Sequence, residues 1–483
     1  MGVLSHLEPQ SVFYYFEEIT KIPHGSGNID QISDYLVEFA KKRNLFYIQD
    51  KVKNVIIVKE ATLGYENEPA LMLQGHMDMV AVKKPDCDID MKTEGLRVAI
   101  DGDKIYAEGT SLGGDDGVAV AYALALLDSD TIKHPRLEVV ITVDEEVGMD
   151  GAREIDLSML TANRMLNLDS EDEGIFLTSC AGGARVRCSL PLQKTQTSGV
   201  CVEIKVAGLL GGHSGGEIHK ERGNSNCLMA RILWKATQKM PVSLISIQGG
   251  LADNAIPRET VATVLLDATQ VDDFVALVEE AGAQIQEELA TKDPACKISV
   301  SQLGTDNAMA VGYEDTKKAV AMLTALPNGI MAMSADMPGL VQTSLNMGIL
   351  EMNDSGIHAE FAVRSSVESE KYALIEKMAA VVTLSNGSYE VSGDYPGWKY
   401  RVDSPLRNKM IAVYEKMYGD SPKVEAIHAG LECGLLGSKI EDLDCVSIGP
   451  QMSDIHTTEE TLSISSTARM WDYLIKLLEE KDA

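Results

Sequence analysis

A histidine and an aspartate separated by one residue, His76 and Asp78, follow a short apolar run that begins at Leu71. The run predicts a buried strand, and side chains two residues apart on an extended strand project to the same side. Open α/β sheets bind their ligands at the carboxyl ends of such strands. A histidine whose ring is oriented by a carboxylate is typical of a metal ligand, although a His-x-Asp pair is also common in ordinary loops.

Four further candidate ligands occupy comparable places. Asp115 lies in a glycine-rich acidic loop that opens a helical segment, where a helix cap is the alternative interpretation. Glu146 follows a strand rich in β-branched residues, Asp169 follows a short apolar strand, and His456 follows a buried strand near the C-terminus. Together with His76 they offer nitrogen and oxygen ligands without thiolate, which suits zinc, manganese or cobalt. Two histidines and three carboxylates suffice for two metal ions that share one bridging carboxylate.

The composition argues against several classes of function. The chain of 483 residues has a formal net charge of −30, from 43 basic and 73 acidic side chains. Such acidity repels phosphates and argues against a nucleic-acid partner. No apolar run has the length of a membrane span and the N-terminal residues lack a signal-peptide pattern, so we expect a cytoplasmic protein without a membrane partner. The 8 cysteines show no C-x-x-C spacing, which predicts reduced thiols and no structural zinc finger.

The elements that must position these ligands alternate between strands and helices up to about residue 186. The pattern then changes to alternating strands with interspersed helices, which we interpret as a β-meander in an α+β layer. From about residue 392 onward, helices and a buried strand return. We therefore predict an α/β domain with a mixed sheet flanked by helices, formed by residues 1–186 and 392–483. An α+β domain formed by residues 187–391 is predicted to be inserted into it.

Seven stretches, in order across nearly the whole chain, resemble motifs of the M20 metallopeptidase family, and within it of the aminoacyl-histidine (Xaa-His) dipeptidase group. The matching stretches are residues 75–80 (GHMDMV), 113–117 (GGDDG), 144–149 (DEEVGM), 167–171 (NLDSE), 211–219 (GGHSGGEIH), 254–258 (NAIPR) and 428–434 (HAGLECG). The resemblance implies a phosphorylase/hydrolase-like α/β catalytic domain with an inserted α+β lid domain. It also implies that the substrate is a small peptide.

The resemblance gives each candidate ligand a place in a dinuclear site. It implies that His76 and Glu146 each bind a single ion and that Asp115 bridges the two ions. Asp169 and His456 would each add a further ligand, one for each ion. We expect two divalent metal ions, zinc above all, with cobalt and manganese as the alternatives.

The resemblance also implies the acid–base chemistry. Glu145 resembles the general base of the family, which takes a proton from the attacking water and passes it to the leaving amine. We expect Glu145 and its metal-binding neighbour Glu146 on a loop where their side chains diverge. Asp78 resembles the carboxylate behind the histidine ligand. Asp116 departs from the family pattern, because this group often has asparagine at that position.

One residue of the inserted domain is a candidate for catalysis, and three are candidates for substrate binding. His213 resembles a donor to the oxyanion of the tetrahedral intermediate once the lid closes, with a histidine in an ordinary glycine turn as the alternative. Asn254 and Arg364 resemble ligands of the substrate's C-terminal carboxylate, which an arginine can hold through two hydrogen bonds. Arg258 is a weaker candidate for the same role.

The expected function is metal-dependent hydrolysis of dipeptides, Xaa-His (carnosine-like) dipeptides among them. Gly430 and Glu432 are candidates for contact with the substrate's amino terminus, with a helix cap as the alternative for Glu432. Hydrolysis of N-acyl amino acids, a second M20 activity, is the alternative function. The base Glu145 argues against a non-catalytic binding protein, and the lack of an arginine-rich clamp argues against a two-metal phosphatase. We also expect a homodimer that pairs through the lid domain.

Overall fold

The computed structural model describes residues 2–482, apart from the side chain of residue 306. The chain forms two compact units. Unit 1 comprises Met1–Ser179, Tyr400–Ala426 and Leu431–Ala483, and unit 2 comprises Cys180–Lys399 and Ile427–Gly430. None of the described helices is both long and apolar enough to cross a membrane.

The helices, in chain order, are α1 (Gln10–Thr20), α2 (Asp30–Lys42), α3 (Gly114–Asp128), α4 (Glu145–Gly148), α5 (Asp150–Glu154), α6 (Ser225–Thr237), α7 (Val271–Leu289), α8 (Tyr313–Ala325), α9 (Glu368–Leu384), α10 (Pro405–Tyr418), α11 (Glu432–Gly437) and α12 (Ile464–Glu479). Two short 3-10 helices span Ile218–Lys220 and Ala268–Gln270.

The strands up to the start of unit 2 are β1 (Phe46–Gln49), β2 (Val55–Lys59), β3 (Leu71–His76), β4 (Val98–Asp101), β5 (Lys104–Ala107), β6 (Leu137–Thr142), β7 (Arg164–Asn167) and β8 (Ile175–Cys180). Those of unit 2 are β9 (Gly182–Pro191), β10 (Lys194–Ala207), β11 (Gly212–His213), β12 (Ser243–Gly249), β13 (Ala255–Ile256), β14 (Thr260–Leu266), β15 (Lys297–Val311), β16 (Gly329–Met333), β17 (Val341–Asn353), β18 (Gly356–Ser365) and β19 (Ser388–Tyr395). The last four are β20 (Lys423–Ile427), β21 (Asp444–Ser447), β22 (Met452–Ser453) and β23 (Thr461–Ser463).

Unit 1 is built on an eight-stranded mixed sheet with the strand order β1-β2-β6-β3-β7-β21-β8-β20. Its centre is parallel, because β6 pairs with β3, β3 with β7, and β7 with β21 in the same direction. Every residue of β3 and β6 is buried, as expected for a parallel sheet covered on both faces. Helices α1, α3, α10 and α12 contribute to the surrounding hydrophobic core. The predicted α/β fold with a mixed sheet flanked by helices is confirmed.

Helix α3 lies against β3 at close range. A Cβ atom at Gly75 would stand 2.4 Å from Oδ2 of Asp116 and 2.7 Å from Cβ of Ala119, so only glycine permits this approach of strand and helix. The main-chain N–H of His76 donates to the same Asp116 oxygen over 3.1 Å. The contact fixes the end of β3, and with it His76, beside the acidic start of α3.

Unit 2 contains a sheet with the strand order β15-β10-β14-β12-β17-β18-β9-β19, and β16 adds to the edge of β17. The sheet consists of two β-α-β-β-α-β modules. Module A comprises β10, α6, β12, β14, α7 and β15, and module B comprises β9, α8, β17, β18, α9 and β19. In both modules the first strand lies between the third and the fourth, and the second strand lies beside the third.

The two modules join where β12 of module A pairs with β17 of module B in antiparallel orientation. Module A is continuous in sequence, whereas β9 of module B precedes module A and the rest of module B follows it. The α+β class predicted for the inserted region is confirmed. The expected β-meander is wrong, because the pairing of β9 with β18 joins segments separated by all of module A.

Candidate active site

Asp115 presents its two carboxylate oxygens to two different histidines. Oδ1 lies 3.1 Å from Nε2 of His76, and Oδ2 lies 3.0 Å from Nε2 of His456. Nε2 of His76 also lies 3.5 Å from Oδ1 of Asp169, and Nε2 of His456 lies 3.0 Å from Oε1 of Glu146. The structure thus brings all the ligands predicted from the sequence together in unit 1, with Asp115 shared between two groups.

The donor set fits divalent cations. Two groups of side chains have potential ligand atoms within 4.8 Å of one another, namely His76 with Asp115 and Glu146, and His76 with Asp116 and Asp169. Oε1 of Glu146 and Oδ1 of Asp116 are buried and accept no hydrogen bond from any described residue, although His456 lies close to Glu146. Buried carboxylate oxygens without partners are costly unless a cation compensates them.

Crowded carboxylates perturb the pKa values of this site. Burial, together with the carboxylates of Asp115 and Glu146, raises the pKa of Asp169 to about 7. Burial and neighbouring carboxylates also raise the pKa of Glu145 well above its usual range. The nearby carboxylates of Asp115 and Glu146 raise the pKa of His456 to about 10. The site therefore holds more negative charge than its histidines neutralise, which divalent cations would relieve.

Asp78 connects the predicted metal ligand His76 with the predicted base Glu145. Nδ1 of His76 donates to the main-chain oxygen of Asp78 over 2.9 Å, which leaves Nε2 of the ring free for a metal ion. Oδ1 of Asp78 lies 3.5 Å from the same Nδ1 and accepts the main-chain N–H of Glu145 over 3.1 Å. Oδ2 of Asp78 accepts the hydroxyl of Ser26 over 2.8 Å. The link to Glu145 runs through a main-chain group, so the sequence offered no sign of it.

Glu145 and Glu146 form the first turn of the short helix α4, so the loop expected for them is wrong. Four residues are too few for a periodic pattern to reveal a helix. The preceding residue, Asp144, has a left-handed backbone with φ of 53°, and its carboxylate accepts the N–H of Gly27 over 2.6 Å. Successive helical residues point about 100° apart, so the two glutamates still diverge as expected.

A buried glutamate that sequence reasoning missed, Glu460, holds the loop before α3. Its two oxygens accept four successive main-chain N–H groups over 2.7, 3.0, 2.8 and 3.3 Å, which belong to Leu112, Gly113, Gly114 and Asp115. The N-cap residue of α3, Gly113, has no side chain, and the two oxygens of Asp115 face the rings of His76 and His456, so the cap interpretation of Asp115 is wrong. A carboxylate is favoured at this place by the helix dipole. The one sequence signal for Glu460 is its position four residues after His456.

Glu432, a candidate for contact with the substrate's amino terminus, is fully buried at the start of α11. Its Oε2 accepts the Nε2–H of Gln74 over 2.5 Å and the hydroxyl of Thr142 over 2.6 Å. Burial raises the pKa of this carboxyl to about 8. Gly430 belongs to unit 2, whereas Glu432 belongs to unit 1. Substrate contact by these two residues stays a prediction.

In unit 2 the predicted oxyanion donor His213 lies on β11, opposite Ala255 of β13. Its Nδ1 accepts the main-chain N–H of Gly216 over 3.0 Å. The ring proton therefore sits on Nε2, and this nitrogen is the hydrogen-bond donor that an oxyanion requires. Partial burial of the ring and the charge of Arg364 lower the pKa of His213, which keeps the imidazole neutral.

The residues of unit 2 that are predicted to bind the substrate's C-terminal carboxylate differ in burial. Asn254 and Arg258 are exposed and line a groove together with His213. Arg364 on β18 is buried, and its Nη1 donates to the phenol oxygen of Tyr395 over 3.3 Å. Their roles in substrate binding stay predictions.

Comparison with known proteins places this geometry in a family. Residues 72–480 match the model of peptidase family M20/M25/M40. The chain is 36% identical over 482 residues to the cytosol non-specific dipeptidase of Escherichia coli (strain K12), and the match covers 99% of both chains. Its structure resembles that of an aminoacylhistidine dipeptidase from Vibrio alginolyticus with a TM-score of 0.93, 35% identity and 99% coverage of both chains. It shares its fold with aminopeptidase PepT from Bacillus cereus, with a TM-score of 0.57, 16% identity and 98% coverage of both chains.

The family match includes both histidines that face Asp115 and the acidic strand ends between them. The 36% sequence identity to one relative and the structural similarity to another each extend over 99% of the chain and support the same family. The chain therefore belongs to the M20/M25/M40 family of peptidases.

Proposed function

We propose that this protein is a metallo-dipeptidase that hydrolyses unblocked dipeptides, Xaa-His (carnosine-like) dipeptides among them, at a dinuclear metal site. The observation that carries the proposal is the division of the two Asp115 oxygens between His76 and His456. A carboxylate in this position can bridge two ions. The names of the Escherichia coli and Vibrio alginolyticus relatives, both dipeptidases, support the substrate class.

The five ligands are assigned to two zinc ions, with cobalt and manganese as the alternatives, and the assignment rests on a donor set without thiolate. The residues are His76, Asp115, Glu146, Asp169 and His456. When bound, such ions polarise a peptide carbonyl and lower the pKa of a water molecule.

Glu145 is assigned the role of general base, which accepts a proton from the attacking water at its carboxylate and delivers it to the leaving amine. Asp78 would orient both Glu145 and His76, and its contacts to both residues support this role. His213 would donate its Nε2–H to the developing oxyanion. Asn254 and Arg364 would hold the C-terminal carboxylate of the peptide, and unit 2 is the proposed lid domain.

The alternative function is hydrolysis of N-acyl amino acids. The two functions differ in the substrate's amino group, which is free in a dipeptide and acylated in an N-acyl amino acid. The test is to measure metal content by mass spectrometry and kcat/KM for a panel of free dipeptides and N-acetyl amino acids. We expect two ions per chain and activity on free dipeptides, carnosine and other Xaa-His dipeptides included. Activity confined to N-acetyl amino acids, or no activity with a full metal complement, would overturn the proposal.

A cytoplasmic location is also proposed, supported by the name of the Escherichia coli relative. Pairing of two chains through unit 2 is proposed as well. Strand β15 lies at the edge of the sheet and exposes apolar side chains, Leu303 and Met309. Exposed sheet edges of this kind favour association. Light scattering coupled to gel filtration tests the dimer, and Met309→Lys is expected to weaken it.

A further inference from the structure

Three buried polar side chains of unit 2 have atoms without a hydrogen-bond partner among the described residues. These atoms are Nε of Arg364, Nδ1 of His428 and Oγ of Ser214. The three residues are only 8%, 7% and 1% exposed, respectively. A buried polar atom that stays unpaired costs free energy, so three of them in one neighbourhood indicate a ligand rather than an accident of packing.

The neighbourhood is centred on Gly215. A Cβ atom at this glycine would stand 3.1 Å from Nε of Arg364 and 2.3 Å from the main-chain oxygen of His428. It would also stand 3.1 Å from Cε1 of His213. The glycine therefore lets the loop that carries Ser214 approach both buried side chains, and a larger residue would crowd the space between them.

Arg364 has no carboxylate partner among the described residues, and its one protein acceptor is the phenol oxygen of Tyr395. The chain has 73 acidic side chains, so the lack of a carboxylate partner for Arg364 among the described residues does not reflect a shortage of carboxylates. A buried guanidinium without a protein counter-ion is costly unless an anion from outside compensates it. The fork of an arginine suits a carboxylate or a phosphate.

His428 stands beside this cation as a neutral ring. Its Nε2 lies 2.7 Å from Oγ of Ser344, the residue directly opposite Arg364 in the pairing of β17 with β18. Burial and the charge of Arg364 lower the pKa of His428 to about 3. When the hydroxyl of Ser344 donates to Nε2, the ring proton sits on Nδ1, so the unpartnered nitrogen is a donor.

We propose that His428 and Ser214 are substrate-binding residues that complete, with Arg364, a binding site for the C-terminal carboxylate of the dipeptide. The proposal rests on the proposed dipeptidase function and gives a role to two residues that lie in the motif stretches 211–219 and 428–434 but had no role there. Nε–H of Arg364, Nδ1–H of His428 and the hydroxyl of Ser214 are three donors, and a carboxylate accepts up to about four hydrogen bonds. A neutral carboxamide would lose most of this stabilisation, because one of its two polar atoms is itself a donor.

The test uses the metal-loaded Glu145→Gln protein, which binds without turnover, and calorimetric Kd values for a dipeptide and its C-terminal amide. Two substitutions at position 428 separate the two ring nitrogens. His428→Asn keeps a polar group where Nδ1 stands, and His428→Gln keeps one where Nε2 stands. We expect His428→Gln to weaken dipeptide binding about tenfold to a hundredfold, the loss of one hydrogen bond to a charged group. We expect His428→Asn to weaken it less, and both variants to change binding of the amide by less than about threefold.

Ser214→Ala serves as a second variant, in case substitutions at position 428 disturb folding, and should weaken the dipeptide more than the amide. Equal losses for dipeptide and amide, or a larger loss in His428→Asn than in His428→Gln, would show that His428 only supports the fold through Ser344. If the Glu145→Gln protein binds no dipeptide, the proposed function fails, and acetate then probes the site by the line width of its NMR signal. Acetate binding that disappears in His428→Gln would still support a carboxylate site, and binding unchanged in that variant would overturn it.

Discussion

Oδ2 of Asp115 lies 3.0 Å from Nε2 of His456, a residue 341 positions further along the chain. The contact closes the site between two distant parts of unit 1, one at the start of α3 and one in the loop after β22. The other oxygen of Asp115 faces His76. One side chain thus belongs to both halves of the proposed metal site, whereas each histidine belongs to one half.

Asp115→Asn is expected to remove both metal ions, because the amide nitrogen that replaces one oxygen is a donor and cannot bind a cation. His456→Gln is expected to remove only one ion. Metal content per chain, measured by mass spectrometry after gel filtration, checks both. Asp101→Asn, at the exposed last residue of β4, is the matched control and should retain the full complement. Loss of a single ion in Asp115→Asn would contradict the bridging role.

Glu145→Gln is expected to retain its metal ions and to lower kcat by about 10²- to 10⁴-fold, the contribution of a positioned general base. The amide cannot accept a proton from the attacking water. Metal analysis and dipeptide kinetics on one preparation check the prediction. Activity within about tenfold of the parent protein would assign the base to another residue.

His213→Ala is expected to lower kcat by about 10²- to 10³-fold, since the oxyanion would lose a preorganised donor. His213→Gln should recover part of the loss, because an amide N–H can stand near the position of Nε2. His219→Ala, an exposed histidine on the same segment, is the matched control. A rise in KM with kcat unchanged would instead place His213 in ground-state binding.

Glu460→Gln is expected to lower the free energy of unfolding by about 1.5–3 kcal/mol, because four main-chain N–H groups at the start of α3 lose an ionised acceptor. The adjacent Glu459, which is exposed and paired with Lys84 over 2.7 Å, offers a control of identical chemistry. Glu459→Gln should change stability by less than about 0.5 kcal/mol. Guanidinium unfolding of the metal-free proteins checks both values. Equal effects of the two substitutions would contradict the assigned role of Glu460.

Stability is expected to fall as the pH falls below 6.5, in part because of His134. This histidine is fully buried, its Nδ1 donates to the main-chain oxygen of Pro135 over 2.8 Å, and burial lowers its pKa from 6.5. The unfolded chain therefore binds a proton in a pH range where the folded protein does not. The free energy of unfolding falls by up to about 1.4 kcal/mol for each pH unit between the two pKa values.

His134→Asn should reduce this pH dependence, because an amide can donate to Pro135 without titrating. Unfolding at about pH 7 and about pH 5 checks the prediction, since ordinary histidines change charge between these values. His219→Asn is again the control. An unchanged pH dependence in His134→Asn would show that other groups carry the effect.

The clustering of the predicted metal ligands could be expected from the sequence, because the ends of parallel strands lie along one edge of a sheet. Strands β3, β6 and β7 each read as apolar runs followed by an acidic residue or a histidine, and their parallel pairing collects those residues. Glu460 lies outside this pattern of strand ends, and its spacing from His456 is the one sequence signal that separates it from its neighbour Glu459. Only the tertiary contact with the loop before α3 gives one of them its role.

The contacts of unit 2 were less predictable. His428 meets Ser344 across 84 residues of sequence, and nothing in the motif around His428 indicates that partner. The same holds for the pairing of β9 with β18, which no local hydrophobic period encodes. Alternation revealed that these segments are strands, but the partner of each strand depends on how the whole chain closes.

The two modules of unit 2 differ in whether all their strands are synthesised as one continuous segment. All strands of module A emerge in one uninterrupted stretch, whereas β9 must wait for its partners until module A has been made. Because closing a long loop costs more entropy than closing a short one, module A is expected to acquire structure first and to serve as the template on which module B assembles through β12 and β17. A slow, late-folding half would then be the one that carries Arg364.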